Sequence, residues 1–328
     1  MPTFRALLLE SADGQVTRAF RDLEKDALPR GEVLIRVSHS SLNYKDGLAV
    51  AGKPGVVRKY PMVPGVDLAG TVEESSAPEF KPGDPVVVTG CGTSETLWGG
   101  YAQYCRLDAK NIVHLPDGIT REEAMAVGTA GFTAMQCVMA LEQHGLSSDR
   151  EVLVTGASGG VGSIAIAILS RLGYKVAAAT GRLHESDYLR SLGASEVIDR
   201  ATLGNPGKPL ESERWGGAVD SVGGAVLAGV IRSVAAGCSI AACGLAGGPK
   251  LETTVFPFIL RGVNLLGIDS VHVHKPERER IWSRLRTDLP KESLHTSMSL
   301  RPLSEVFELA DQILKGETRG RIVLDVDR

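Results

Sequence analysis

The 328 residues carry 36 Lys+Arg against 39 Asp+Glu, a formal charge of −3, with 43% hydrophobic and 23% charged residues. That balance excludes a disordered chain, and without a long single-sign run it argues against a nucleic-acid groove or a polybasic membrane surface. The length suits two domains, and the 38 glycines, well above the usual share of about 7%, follow no three-residue period, so they serve particular turns rather than a collagen helix.

Residues 1–10 meet Arg5 and Glu10 too soon for the apolar stretch of a signal peptide. No window holds roughly eighteen uninterrupted apolar residues, so no membrane span is expected. Val33-Leu34-Ile35-Arg36-Val37 reads as a strand after the Pro29-Arg30-Gly31 turn. Gly65 to Val72, Val86 to Val88 (leaving the turn Lys81-Pro82-Gly83-Asp84) and Tyr101 to Leu107 add further strands. Helical periodicity is scarce here, so residues 1–125 are expected to form a mostly-β domain.

From Glu122 the pattern changes. Glu122 to Glu142 has apolar residues at helical spacing, broken by Gly128 and Gly131. Strands at 152–154, 175–179, 196–199, 218–222, 239–243 and 263–268 then alternate with helices, of which 164–172 and 185–192 are the clearest. Near-continuous apolar strands alternating with helices imply an α/β fold, with a doubly wound parallel sheet over 126–268. Two amphipathic helices follow, 276–289 and 303–314, and then a final strand, 321–326. That strand is expected to rejoin the front domain, so that 269–328 completes it. The five cysteines, Cys91, Cys105, Cys137, Cys238 and Cys243, are odd in number and form no C-x-x-C pair. A reducing cytoplasm is therefore expected, rather than a disulfide framework.

The densest glycine cluster, Thr155-Gly156-Ala157-Ser158-Gly159-Gly160-Val161-Gly162, leaves a buried strand and enters an apolar helix. A dinucleotide loop requires that context. Gly156 permits the turn, Gly159 and Gly160 let backbone approach a pyrophosphate, and Gly162 allows close helix packing. The helix N-terminus adds unpaired N–H groups and the positive end of its dipole. The next strand ends in Thr180-Gly181-Arg182, where an NAD-selective site would carry an acid for the ribose hydroxyl. A guanidinium there suits the 2′-phosphate of NADPH, and Arg200 past the third strand is a candidate second contact.

Together with Pro64-Gly65-Val66-Asp67-Leu68-Ala69-Gly70, Phe80-Lys81-Pro82-Gly83-Asp84 and Leu192-Gly193-Ala194, the whole chain resembles the medium-chain dehydrogenase/reductase superfamily. The resemblance implies a GroES-like catalytic domain plus a Rossmann domain. Alcohol dehydrogenases of that superfamily bind zinc through a Cys and a Gly-His-Glu. The corresponding stretches here read Ser41-Leu42-Asn43-Tyr44-Lys45-Asp46 and Gly65-Val66-Asp67, so no metal is expected. His272 and His274 have nothing nearby to complete a site. Longer strings are similar to the acryloyl-CoA reductase branch of the quinone-oxidoreductase-like members. They are Ser41 to Gly47, Trp98-Gly99-Gly100, Gly128 to Met135, Ala242 to Gly248 and Pro257 to Val263.

That resemblance implies NADPH-dependent reduction of acryloyl-CoA to propionyl-CoA, with an acyl-CoA as the small-molecule partner. Reduction of quinones or other activated alkenes, or NADPH binding without turnover, are the alternatives. Asn43, Tyr44 and Asp46 fall where the superfamily has its catalytic loop. Tyr44 is expected to donate to the enolate oxygen or to orient nicotinamide and substrate, and Asn43 to do the same through its amide. Asp46 is expected to orient Lys45 or Tyr44, or to supply a proton if burial raises its pKa. The expected cofactor contacts are Tyr44, Thr133, Ser158, Gly159, Gly160, Val161, Thr180, Gly181, Arg182 and Arg200. By resemblance, Leu245, Ile259 and Ser270 border the nicotinamide half, with Arg319 or Arg321 near the cofactor. Strand 263–268 reads as a sheet edge whose pairing across a two-fold axis would give a homodimer.

Overall fold

In the computed structural model, which describes residues 3–328, Asp13 and Gly14 both take positive φ (51° and 78°). They fold Thr3–Ala12 (β1) back on Gln15–Glu24 (β2) as an antiparallel hairpin. The chain divides into two units. Residues 3–129, Ser270–Arg286 and Met298–Arg328 form the first, and Ala130–Asp269 with Thr287–Ser297 the second.

In the first unit, Val33–Leu42 (β3) leads through Tyr44–Val50 (α1) to Asp67–Ser75 (β4), Pro85–Thr89 (β5), Tyr104–Leu107 (β6) and Val113–His114 (β7). β3 pairs antiparallel with β4 and β6, and β4 with β5. Alternating inward residues such as Val33, Ile35, Leu68, Val86 and Val88 fill the core with Phe4, Leu7 and Tyr101. The helix Arg121–Gln143 (α2) is interrupted at Gly128 (φ 49°, ψ −162°), the first of the two glycines expected to break it. By length and composition α2 could cross a membrane, but most of its apolar stretch is buried in the protein.

The second unit alternates strand and helix. Val152–Thr155 (β8), Gly160–Arg171 (α3), Val176–Thr180 (β9), Ser186–Ser191 (α4), Glu196–Asp199 (β10) and Ala201–Gly204 (α5) come first. Gly217–Asp220 (β11), Gly224–Ser233 (α6), Ser239–Ala242 (β12), Phe256–Arg261 (α7) and Asn264–Gly267 (β13) follow. The sheet is wholly parallel in the order β10-β9-β8-β11-β12-β13. β8, β9 and β11 are buried throughout, which is why they read as unbroken apolar runs. The tail adds Lys275–Asp288 (α8), Lys291–Ser297 (α9), Met298–Pro302 (β14), Val306–Leu314 (α10) and Arg321–Asp325 (β15). β15 pairs antiparallel with β3 and parallel with β14.

Several elements differ from expectation. The β1–β2 hairpin is unexpected because β2 is polar and exposed along most of its length. α6 is unexpected because Gly-Ala-Val-Leu-Ala-Gly-Val-Ile is apolar nearly all round and lacks an amphipathic stripe. α3 begins at Gly160, four residues early, so Gly160 and Gly162 belong to the helix. β4 begins at Asp67 and β6 at Tyr104, both later than read.

Candidate active site

The register of β3 against β4 sets Ser40 opposite Leu68, so the end of one strand meets the start of the other. Asp67 is fully buried at that junction. Its Oδ2 accepts bonds from Ser41 Oγ (2.5 Å), Asn43 Nδ2 (2.8 Å) and Thr129 N (2.9 Å), and its Oδ1 from Thr129 Oγ1 (2.6 Å). Arg321, from β15 and 3% exposed, places Nη2 4.0 Å from Asp67 Oδ2. Arg321 also donates from Nε to Ala126 O (2.8 Å) and from Nη1 to Asn43 Oδ1 (3.1 Å). Gly128 covers the cluster. A Cβ there would stand 2.5 Å from Arg321 Nη2 and 2.6 Å from Asp67 Oδ2, on a backbone that already needs positive φ.

Asp46, in the first turn of α1, is equally buried and accepts Val66 N (2.8 Å), Asn43 N (3.0 Å) and Asn43 Nδ2 (3.1 Å). Burial, and then the charge of Asp67, push its carboxyl up to about 7, against the pull of those N–H donors. Burial lowers the pKa of Arg321, opposed by both carboxylates. The phenol of Tyr101, buried and donating to Ser41 O at 3.0 Å, is raised well above its ordinary value, first by burial and then by the same two carboxylates.

Two expectations are corrected here. Asn43 does not hold its amide out toward a substrate, because both ends are bonded inside the network to Asp67 and Arg321. Asp46 hydrogen-bonds neither Lys45 nor Tyr44. Lys45 pairs instead with Glu95 at 2.6 Å. Tyr44 opens α1 and is 47% exposed, and no hydroxyl partner is found for it among the described residues. Ser270 is half-buried, and its carbonyl accepts Arg278 Nη2 at 3.2 Å. Arg319 lies exposed two residues before Arg321.

The second unit holds the glycine loop. Gly156 takes φ 62°, where a Cβ would collide with Ser221 Oγ and stand 3.3 Å from Val222 Cγ2. A Cβ on Gly162 would stand 2.7 Å from Ala157 Cα and closer still to Gly156 O, so the helix start leaves no room for a side chain. Beside the loop, the Ser158 and Thr180 hydroxyls share a hydrogen bond at 3.0 Å. Arg182 reaches across them, with Nη2 donating to Ser158 Oγ (2.9 Å) and O (3.1 Å). The Arg200 guanidinium lies against Gly181, where a Cβ would be 3.1 Å from Nη2. Ser158, Thr180, Gly181, Arg182 and Arg200 therefore form one cluster next to Gly159, Gly160 and the half-buried Val161. Thr133 is buried on α2, while Leu245 and Ile259 are exposed.

Sequence reasoning missed Asp220. Buried, it accepts Thr155 Oγ1 (2.5 Å) and Gly223 N (2.7 Å), tying the ends of β8 and β11 together, and burial raises its pKa. Ser41, Asp67, Thr129 and Arg321 were likewise not read as one site. They come from four separate segments, so no local string announces them.

Two family models match the chain. One, described as the alcohol dehydrogenase GroES-like domain, covers residues 29–117; the other, zinc-binding dehydrogenase, covers 160–285. The chain is 52% identical to the acrylyl-CoA reductase AcuI of Ruegeria pomeroyi over 99% of both sequences. The YhdH oxidoreductase of Salmonella enterica, solved in complex with NADP, superposes with a TM-score of 0.95 at 46% identity, covering 98% of this chain and 99% of that one. Bacillus subtilis YhfP, named a quinone oxidoreductase, is 42% identical over 98% of both sequences. Its structure with NAD bound gives a TM-score of 0.95, covering 99% of this chain and 100% of that one.

The glycine loop, the start of α3 and the basic cluster fit a dinucleotide with phosphate on its ribose. The zinc named in the second model does not fit the residues at Asp67. Among the described residues no three His, Cys, Asp or Glu side chains converge, and the Asp67 oxygens face N–H and O–H donors beside a guanidinium.

Proposed function

The chain belongs to the medium-chain dehydrogenase/reductase family, and from that premise we propose that it reduces the C=C bond of acryloyl-CoA to propionyl-CoA with NADPH. In the geometry, the reading is carried by the joining of Ser158, Thr180, Arg182 and Arg200 at the end of β9, beside the glycine loop. When bound, the dinucleotide supplies the hydride for the β-carbon. The N–H groups at Gly160 and Val161, in the first turn of α3, would hold its pyrophosphate, the Gly159 N–H being given to Gly156 O at 2.9 Å, and the basic cluster would hold its 2′-phosphate.

A thioester carbonyl draws the charge of conjugate addition onto its own oxygen, so the protein must aim a donor there. Tyr44 is that donor, with a hydroxyl that no described residue engages. Asn43 and Asp46 are positioning residues that fix the start of α1, and with it Tyr44. Asp46 lies fully buried behind Asn43, so the α-carbon proton is assigned to water.

The second reading is quinone reduction, favoured by the YhfP name. Loss of NADPH absorbance should be followed with acryloyl-CoA, crotonyl-CoA and a benzoquinone in parallel. Turnover of the quinone alone overturns the first reading, and a preference for NADH overturns the assignment of Arg182.

A homodimer and a cytoplasmic location complete the proposal. β13 ends the parallel sheet, and α7, which leads into it, exposes Phe256, Ile259 and Leu260. A second copy paired along that edge covers it. Light scattering that returns the mass of one chain overturns the dimer. The five free cysteines suit a reducing compartment.

A further inference from the structure

We propose that a cleft in the first unit, framed by Arg30, Lys59, Arg106, Trp98, Met62 and Asn111, binds the adenosine 3′-phosphate 5′-diphosphate end of an acyl-CoA. The inference rests on the acyl-CoA reading above and deepens it. With a cavity of about 160 Å³, the cleft is too small for a whole coenzyme thioester, whose sites run to several hundred Å³. It can seat only part of the nucleotide end, a phosphate and the edge of a ring, with the rest lying along the surface.

Some surface cations of the chain sit on carboxylates, as Lys45 does on Glu95, Arg214 on Glu196 and Lys275 on Glu79. Arg30 and Lys59, both exposed, have no hydrogen-bond or ion-pair partner among the described residues. Arg106 reaches Glu74 only at 3.9 Å. The acid in the cleft wall, Asp108, faces Lys110 at 3.7 Å. Two cations without a carboxylate partner and a third held only loosely by Glu74 thus line one cleft, a set of donors suited to phosphate groups.

The wall also carries a partly exposed indole. Of the three tryptophans, Trp215 and Trp282 are fully buried, whereas Trp98 is only partly so. Its Nε1 donates to Pro61 O at 3.0 Å, which holds the indole at the cleft. A fixed indole among cations is the combination that recognises a purine carrying phosphate.

Location links the cleft to the Asp67 network within the same unit. Trp98 is two residues from Gly100, whose N–H bonds Gly65 O at 2.8 Å and where a Cβ would strike Asp67 O and Ser40 Oγ. One loop therefore borders both the cleft and the network. The pantetheine arm separates the reacting thioester from the adenosine, so the two ends need separate holds. The second unit's basic cluster, at Arg182 and Arg200, is assigned to the cofactor.

The test titrates 3′-phosphoadenosine 5′-phosphate calorimetrically into protein saturated with NADPH, comparing wild type with Arg30→Ala/Lys59→Ala/Arg106→Ala. Binding by the wild type that weakens about tenfold or more in the variant supports the cleft. No binding, or equal binding by both proteins, overturns it. In parallel, KM is measured for acryloyl-CoA and for acryloyl-pantetheine, which lacks the nucleotide. The wild type should favour the CoA ester, and the variant should close that gap while kcat changes far less. Equal KM values for the two thioesters in the wild type also overturn the cleft. If neither thioester is reduced, the acryloyl-CoA reading fails, and the calorimetric arm still decides whether the cleft holds the nucleotide.

Discussion

In the first unit a buried carboxylate, Asp67, is held by Ser41, Asn43 and Thr129 beside the buried guanidinium of Arg321. In the second, the glycine loop is shaped by what is missing: a Cβ at Gly156 or Gly162 would strike neighbouring atoms. The first site is held by charge, so removing one group leaves another uncompensated in a dry interior. The second is held by space, so it is sensitive to atoms added. Deletions should therefore tell most on the first site, although Gly128 closes it to a Cβ as well, and a single added methyl group on the second.

The largest effect is expected from Asp67→Ala. It removes the carboxylate beside the buried Arg321, and four donor groups, Ser41 Oγ, Asn43 Nδ2 and the N and Oγ1 of Thr129, lose an acceptor at once. Breaking a buried pair from one side costs about 3–5 kcal/mol, readable as a lower urea midpoint. Asp67→Leu combined with Arg321→Met should recover much of that loss, because neither member of the pair is then left buried without the other. An Asp67→Ala protein as stable as the wild type would show that charge does not hold this site.

Asp46 tests the same unit by pH. Its carboxyl titrates at about 7 in the fold against 3.8 in the unfolded chain, chiefly because it is buried. Between those values the folded protein holds the extra proton, so stability must fall as pH rises from about 4 to about 7. Above that window the loss is complete. The slope approaches about 1.4 kcal/mol per pH step of one, and Asp46→Asn should flatten it. Unfolding measured in urea at pH 4.5 and pH 7 in both proteins checks this. A parallel pH dependence in the two would remove Asp46 as its source.

For the second unit, Gly162→Ala adds one methyl group against the Gly156 carbonyl and Ala157 Cα. Both neighbours are backbone and cannot rotate away, so overpacking of about 1–3 kcal/mol is expected, with weaker NADPH binding. Fluorescence titration with NADPH reads it. Unchanged affinity would mean that the loop widens without loss.

The same contrast explains what could be read in the chain. The glycine loop was legible because its parts follow one another within eight residues and the physics is local. The buried strands β8, β9 and β11 were legible as apolar runs for the same reason. The Asp67 network joins β3, β4, α2 and β15, and nothing in Gly65-Val66-Asp67 says that Arg321 will lie beside it. Tertiary pairing alone brings them together. The hairpin is a different failure, since Asp13-Gly14 is a local turn signal that was present and went unread. α6 hid because a helix buried on most sides carries no stripe.

The smallest expected effect falls on Arg182. Its guanidinium is half-buried, bonded to Ser158 through both the side chain and the backbone, and its own N–H donates to Thr180 Oγ1 at 3.0 Å. Arg182→Ala keeps the backbone bond and opens only the edge of the loop, so stability should change little. What is lost is a charge-assisted contact to the 2′-phosphate, a group that NADH lacks. Partial exposure limits that contact to about 1.4 kcal/mol, so the preference for NADPH over NADH should drop about tenfold, with NADH kinetics nearly constant. Arg200, lying over Gly181, retains part of the phosphate contact, which is why the preference should shrink and not vanish. Steady-state kcat/KM with each cofactor measures it. An equal loss with NADH would mean that Arg182 supports the loop through Ser158, and the second unit would then depend on a charged side chain just as the first does.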